Sequence, residues 1–312
     1  MWGRVTLWRG PFFLSPPLPM RLSTLVLAVL LASPVFAQEA DTLSADDGWR
    51  TSLAATLAGN QAAFSNWQEA GVNALAATAA IDGKFDRVVG RVFVRQTLRL
   101  AYGVLQQDTL SVRKAVDVAR YEFAAEATSE ATLRPAFQFV ARTQFAPGYD
   151  YSPDADDYPS LVVVPGEPLQ VSAPLAPLVL RQSLGAAYRP ATGVVARAGL
   201  GMKETIVTIA RFRPVVGNAP DQVARVEAGL DAAVSVDRPV MENVTLKSSL
   251  TAFASLSGFN DAPDLVFDNM LLLKVNDLLN VRLVAEAVYD ADVSEDVQLR
   301  EVLSVGLTLA LL

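Results

Sequence analysis

Residues 224–236 read ARVEAGLDAAVSV. The even positions are all apolar: Ala224, Val226, Ala228, Leu230, Ala232, Val234 and Val236. The odd positions between them are Arg225, Glu227, Gly229, Asp231, Ala233 and Ser235. A helix would scatter each set around its circumference, whereas a strand sorts them onto two faces. Residues 244–256 (VTLKSSLTAFASL) alternate in the same way. So do residues 297–309 (VQLREVLSVGLTL), whose odd positions are Val and Leu apart from Glu301. The period is two, and the chain reads as β.

Carried along the whole sequence, this reading predicts about twelve strands. They fall near 50–58, 72–81, 88–104, 112–127, 132–145 and 178–189, then 192–202, 222–237, 242–257, 264–276, 279–290 and 297–312. The connections after every second strand are short, such as Thr128-Ser129-Glu130 and Arg238-Pro239. Those after the odd strands are longer, notably 146–177 and 203–221. Short turns at one end, long loops at the other and an even strand count form the pattern of an outer-membrane barrel.

A soluble β-sandwich also alternates, so the two faces decide. Here the apolar face is long and rich in Leu, Val and Ala, while the other mixes Gly, Ser, Thr and Ala with charges. That suits a lipid-facing exterior and a partly wet interior. Most of the predicted strands, at 12–17 residues, exceed the 9–11 or so needed to cross a bilayer at a tilt. In hydrocarbon an open sheet edge would leave backbone groups unsatisfied, so the sheet must close. The expectation is a closed, antiparallel, up-and-down transmembrane β-barrel. Asp117, Glu301, Gln96 and Gln182 sit on faces assigned to lipid, which calls for strand ends or a bulge at those points. Tyr102, Tyr121, Phe137, Phe145, Tyr188 and Tyr289 lie on the same faces, in keeping with interfacial girdles.

Composition agrees. The chain is 51% hydrophobic and only 19% charged, against about 25% charged in soluble domains. It contains no Cys and no His and carries a net charge of −7. Disulfides and thiolate chemistry are therefore out, the commonest general base and metal ligand is missing, and a nucleic-acid partner is disfavoured. Near the start, Arg21 precedes an apolar run from Leu22 to Ala32, followed by Val35-Phe36-Ala37. This is the layout of a Sec signal peptide. Cleavage is expected after Ala37, with residues 38–312 forming one barrel domain. Residues 1–19 precede that signal, and Met20 is a second candidate start.

The segment NQAAFSNWQEAGVNALAATA (60–79) resembles the NW-containing stretch of an uncharacterised family of outer-membrane β-barrel proteins that carries the label of a domain of unknown function. The likeness continues in RTQFAPGYDY (142–151) and in 271–290 and 299–312. Ala70 stands where that family often has Gly, and the chain ends Leu311-Leu312 rather than on an aromatic. The resemblance implies a barrel and an outer-membrane location, and no activity.

Charges on the inward faces are the best functional candidates. Arg91, Arg95 and Arg99 share one face of the third predicted strand, Glu122 and Glu126 share the polar face of the fourth, and Arg134 follows on the fifth. If the first two of these strands pair so that residue numbers sum to 217, Arg91 meets Glu126 and Arg95 meets Glu122. Two readings stand: a ladder that braces the lumen, or a charged constriction that filters small solutes. The loop at 146–177 holds Asp150, Asp154, Asp156 and Asp157. Oxygen-rich loops can bind calcium, but this spacing is not that of an EF-hand and favours a solvated surface. Trp67 is expected to pack into the barrel mouth. GLGMKE (199–204) lacks the full phosphate-loop pattern. No catalytic residues, metal or cofactor are expected. The partners expected are outer-membrane lipids, the barrel-assembly machinery and small polar solutes, with a narrow pore as the role and a non-conducting envelope barrel as the alternative.

Overall fold

Alternating side chains on a pleated strand can be satisfied on both faces only if each face meets its own medium. The computed structural model, which describes residues 48–63, 72–257 and 262–312, shows how this chain does so. Its first strands are β1 (Arg50–Ala62), β2 (Ala74–Val89), β3 (Val92–Gln107), β4 (Arg113–Ala127) and β5 (Leu133–Thr143). A small loop hairpin follows, formed by β6 (Gly148–Asp150) and β7 (Leu169–Ser172). Then come β8 (Leu178–Ala191), β9 (Val194–Ile206), β10 (Ala224–Met241) and β11 (Val244–Ser255). The last three are β12 (Asp264–Lys274), β13 (Leu279–Asp290) and β14 (Ser294–Ala310).

All except β6 and β7 form one closed antiparallel barrel of twelve strands, each paired with its neighbours in sequence. β1 and β14 close the ring, with Ala55 opposite Leu309 and Leu57 opposite Leu307. The Thr56 and Thr308 hydroxyls hydrogen-bond at 2.9 Å on the inner side of that seam. Closure removes the edges that lipid would punish.

The outer face is the apolar one. Leu299 is 74% exposed and Leu303 59% exposed, and their odd-numbered neighbours on β14 are similarly bare. Val226, Leu230 and Val234 do the same on β10. The intervening Asp231, by contrast, is 4% exposed and lies inside. A continuous apolar belt of this extent is a surface for lipid rather than water.

Connections alternate as expected, with two-to-five-residue turns on the side of both termini. On the other side, 144–177 and 207–223 are the long loops. They share a small core of Ala173, Ala176, Val207 and Phe212. The contrast is weaker elsewhere, because β3–β4 and β13–β14 are also joined by short segments. Two expected turns need correction. The one read at Arg238-Pro239 is a continuation of β10, the chain turning instead at Glu242-Asn243. The turn between the second and third strands was read into 82–87, but β2 runs on to Val89 and the chain turns at Gly90, whose φ of +59° suits glycine. Asp82-Gly83-Lys84 looks like a turn, yet Phe85 on the outer face covers Gly83 while the flanking charges face inward.

The polar residues on the lipid face are mostly explained. A register shift at Gly103/Val104 marks a bulge beside Asp117. The Asp117 carboxylate accepts bonds from the Phe145 and Ala146 amides (2.8 and 2.9 Å) and from Lys114. Tyr121 donates to Gln96, and Gln182 donates to Glu204, each at 2.9 Å. Glu301 stays on the outer face, opposite Ala285. The signal-peptide segment, the Asn66-Trp67 element and Ala70 lie outside the described residues.

Candidate functional site

Directly opposed residues share a face, so the pairing registers fix what points into the barrel. Pairing of β3 with β4 sets Arg99 opposite Arg120, and pairing of β4 with β5 sets Arg120 opposite Arg142. On the far wall, β12 and β13 set Asp268 opposite Glu286, and β14 adds Arg300 opposite Glu286. Like charges directly opposed destabilise a sheet. The two walls cancel each other instead. Arg120 donates to Asp268 (3.0 Å) and Arg142 to Glu286 (2.7 Å). In the ring of twelve, β4 faces β12 and β5 faces β13 from diametrically opposite places. These bridges therefore span the lumen, and the gap there is one arginine plus one acid side chain.

Towards the end that holds the termini, Glu126 is 2% exposed and binds Arg189 through two bonds of 2.8 Å. Arg134 approaches the same carboxylate at 3.5 Å. The ring of Phe93 lies beneath the guanidiniums of Arg95 and Arg189, at 5.2 and 5.8 Å. The register expected for this hairpin is corrected by two: Arg95 falls opposite Ala124, and Phe93 opposite Glu126. Arg95 pairs with Asp86 on β2 by two bonds of 2.8 Å, and Glu122 pairs with Arg120 at 2.6 Å. Arg91 sits exposed in the β2–β3 turn, away from Glu126.

At the other end is a cluster that sequence reading missed. The Lys203 ammonium contacts the carboxylates of Asp264, Asp290 (3.5 Å), Glu227 (3.6 Å) and Asp292 (3.8 Å). Arg225 bridges Glu227 and Asp292 at 3.2 and 2.6 Å. Asp264, Asp290 and Asp292 are close enough together to hold a cation, but Lys203 already serves all three. Beneath it, Phe253 is 2% exposed and lies over Gly229, where a side chain would collide with its ring, and next to Gly201, where a side chain would meet Asp231 first. The available signal was inward-parity charge at one end of β9, β10, β12 and β13.

The acidic loop does not converge. Asp150 accepts bonds from the Ser152 amide (2.9 Å) and the Tyr158 hydroxyl (3.1 Å), and Asp154 caps the Asp156 amide (3.1 Å). Burial, then the bond to Asp150 and the charges of Asp150 and Asp157, push the Tyr158 hydroxyl up to about 12.

Charge is distributed unevenly around the wall. The inner positions of β3, β5 and β8 hold Arg95, Arg99, Arg134, Arg142, Arg181 and Arg189, and no carboxylate. Carboxylates gather across from them, on β10, β12 and β13.

Residues 59–149, from the end of β1 to β6, match a family model described as "Protein of unknown function (DUF3078)". Comparison with curated proteins finds no match. Among solved structures, an outer membrane channel from Pseudomonas putida F1 is similar at 8% identity and a TM-score of 0.38, covering 88% of this chain and 99% of its own. The translocator domain of the autotransporter NalP from Neisseria meningitidis is similar at 10% identity and a TM-score of 0.36, over 86% and 90% of the two chains. The Pseudomonas putida toluene transporter TodX is similar at 11% identity and a TM-score of 0.31, over 85% and 89%. At these scores the likeness adds nothing to what the strand ladder and the apolar belt establish. The chain is a closed, twelve-stranded antiparallel β-barrel with an apolar outer belt. Its distinctive feature is the pair of ionic bridges across the lumen.

Proposed function

We propose that this barrel is a narrow pore for small polar solutes, held shut at its waist by the Arg120–Asp268 and Arg142–Glu286 bridges. The observation that carries this reading is that the closing contacts are ionic and partly wet. Arg142 is 38% exposed and Asp268 35% exposed along their side chains. Their partners Glu286 and Arg120 are less exposed, at 10% and 21%, but water reaches one member of each pair, so the bridges can open where an apolar plug could not. Planar-bilayer recording of the refolded barrel tests the proposal. Channel events that grow when the bridges are removed support it; silence at every voltage, with or without the bridges, would leave the non-conducting envelope role.

The same reading places residues 1–37 outside the mature protein, which is delivered to the barrel-assembly machinery after Sec export and cleavage following Ala37. Mass spectrometry of the outer-membrane form tests this. A mature N-terminus other than Gln38 overturns the cleavage site.

A further inference from the structure

Three arginines stand in a row on the inner face: Arg99, Arg120 and Arg142, directly opposed on β3, β4 and β5. Neighbouring guanidiniums repel, and each needs counter-charge to remain. Arg120 takes it from Glu122 at 2.6 Å and Asp268 at 3.0 Å, and Arg142 takes it from Glu286 at 2.7 Å. Arg99 has no ion pair among the described residues. Asp82, its neighbour on β2, lies instead 3.8 Å from Arg282. Two of the three carboxylates that pair with this row therefore come from the opposite wall, and Arg99 has only the charge of Asp82 beside it.

We propose that the row is a binding site for a small, multiply charged oxyanion, of the class of inorganic phosphate and short di- or tricarboxylates. A guanidinium presents a planar fork of donors that matches carboxylate and phosphate oxygens. Three forks side by side suit an anion with several oxygens better than chloride. In the structure, Asp268 and Glu286 occupy the positions such an anion would take. When it binds, Glu286 releases Arg142 and keeps Arg300, which stands opposite it on its own wall. Asp268 loses Arg120 and returns to the lumen wall, which widens the waist. The exchange keeps Arg120 and Arg142 paired throughout and gives Arg99 a partner, so the anion acts as both ligand and key. The inference deepens the pore reading and rests on it for passage, though not for binding.

Calorimetric titration of inorganic phosphate into the refolded mature barrel in detergent tests it. Folding of each variant is checked by heat-modifiable gel migration. Saturable binding is expected in the wild type, weakened about tenfold by Arg99→Gln, as loss of one charge-assisted contact implies. Lys274→Gln, which removes one positive charge at the β12–β13 turn, is expected to leave binding unchanged. Arg142→Gln gives a second reading if Arg99→Gln does not fold. Absence of saturable binding overturns the site, as does an equal loss in Lys274→Gln. Bilayer recording separates the two ideas. Phosphate binding without any current sinks the pore and keeps the site; current that ignores phosphate sinks the site and keeps the pore.

Discussion

Arg120 on β4 and Asp268 on β12 meet at 3.0 Å from strands on opposite sides of the ring. One strand further along, Arg142 and Glu286 repeat the contact at 2.7 Å. Each wall taken alone carries an unfavourable pair of like charges. Only the closed ring, by bringing the walls face to face, turns two repulsions into two attractions. The chemistry of the lumen is thus a product of closure, and cannot exist in a single hairpin.

Removing the acidic partners should open the waist. The double variant Asp268→Asn, Glu286→Gln is expected to conduct more than the wild type in planar bilayers, with anions favoured because the arginines remain. Its stability should fall as well, because Glu286 is only 10% exposed along its side chain and also holds Arg300. Unchanged conductance in a barrel that already conducts would show that the bridges do not limit the passage.

The outer face makes a separate demand. Leu303 lies at mid-length on β14 and is 59% exposed. Leu303→Arg is expected to cost about 2–4 kcal/mol of folding free energy in lipid vesicles, the range for a cation near the bilayer midplane. Leu303→Ile should be nearly silent. A tolerated arginine there, measured by urea titration of refolded barrels, would deny that this face meets lipid.

The division of faces was legible in the sequence because alternation is local, and each residue declares its side by its own chemistry. β13 was placed at 279–290, as observed, and the other strands lie close to their expected positions. The β2–β3 turn was missed because Asp82, Gly83 and Lys84 carry turn chemistry, while what keeps them in a strand is a lumen that can hold Asp82 and Lys84. The hairpin register was off by two, a shift that preserves every face and changes every partner. Hence Arg99, Glu122 and Glu126 were placed on the correct side without their contacts being predictable. Arg189, Asp268, Glu286 and Lys203 went unnoticed for the same reason: their partners come from strands far away in sequence.

Tyr158 offers a readout of the long loop. Its hydroxyl titrates at about 12, burial being the largest cause and the bond to Asp150 the next. A raised pKa means that the folded loop holds the proton more firmly than the unfolded chain, whose tyrosine titrates near 10.0. The stability it contributes is therefore complete below pH 10 and is lost as pH rises through about 12. Tyrosinate absorbance in Asp150→Asn should appear at lower pH than in the wild type, though still above the ordinary value because burial remains. Identical titrations in the two proteins would place Tyr158 away from Asp150.

Glu126 decides between the register expected from sequence and the one observed. It is 2% exposed and neutralises Arg189 through two bonds, with Arg134 at 3.5 Å. Converting it to Gln leaves Arg189, 13% exposed along its side chain, without its charge partner. Breaking a buried pair from one side typically costs about 3–5 kcal/mol. Glu126→Gln should therefore lower unfolding free energy by that order in urea titrations. The double variant Glu126→Gln, Arg189→Gln should recover part of the loss, because no lone charge remains buried. Arg91→Gln should change little, since Arg91 is exposed in the β2–β3 turn. Had residues paired to a sum of 217, Arg91 would have been the partner and Arg189 a bystander. A large effect at Arg91 combined with none at Arg189 would overturn the observed ladder, and with it the inward array of charges on β3, β4 and β5.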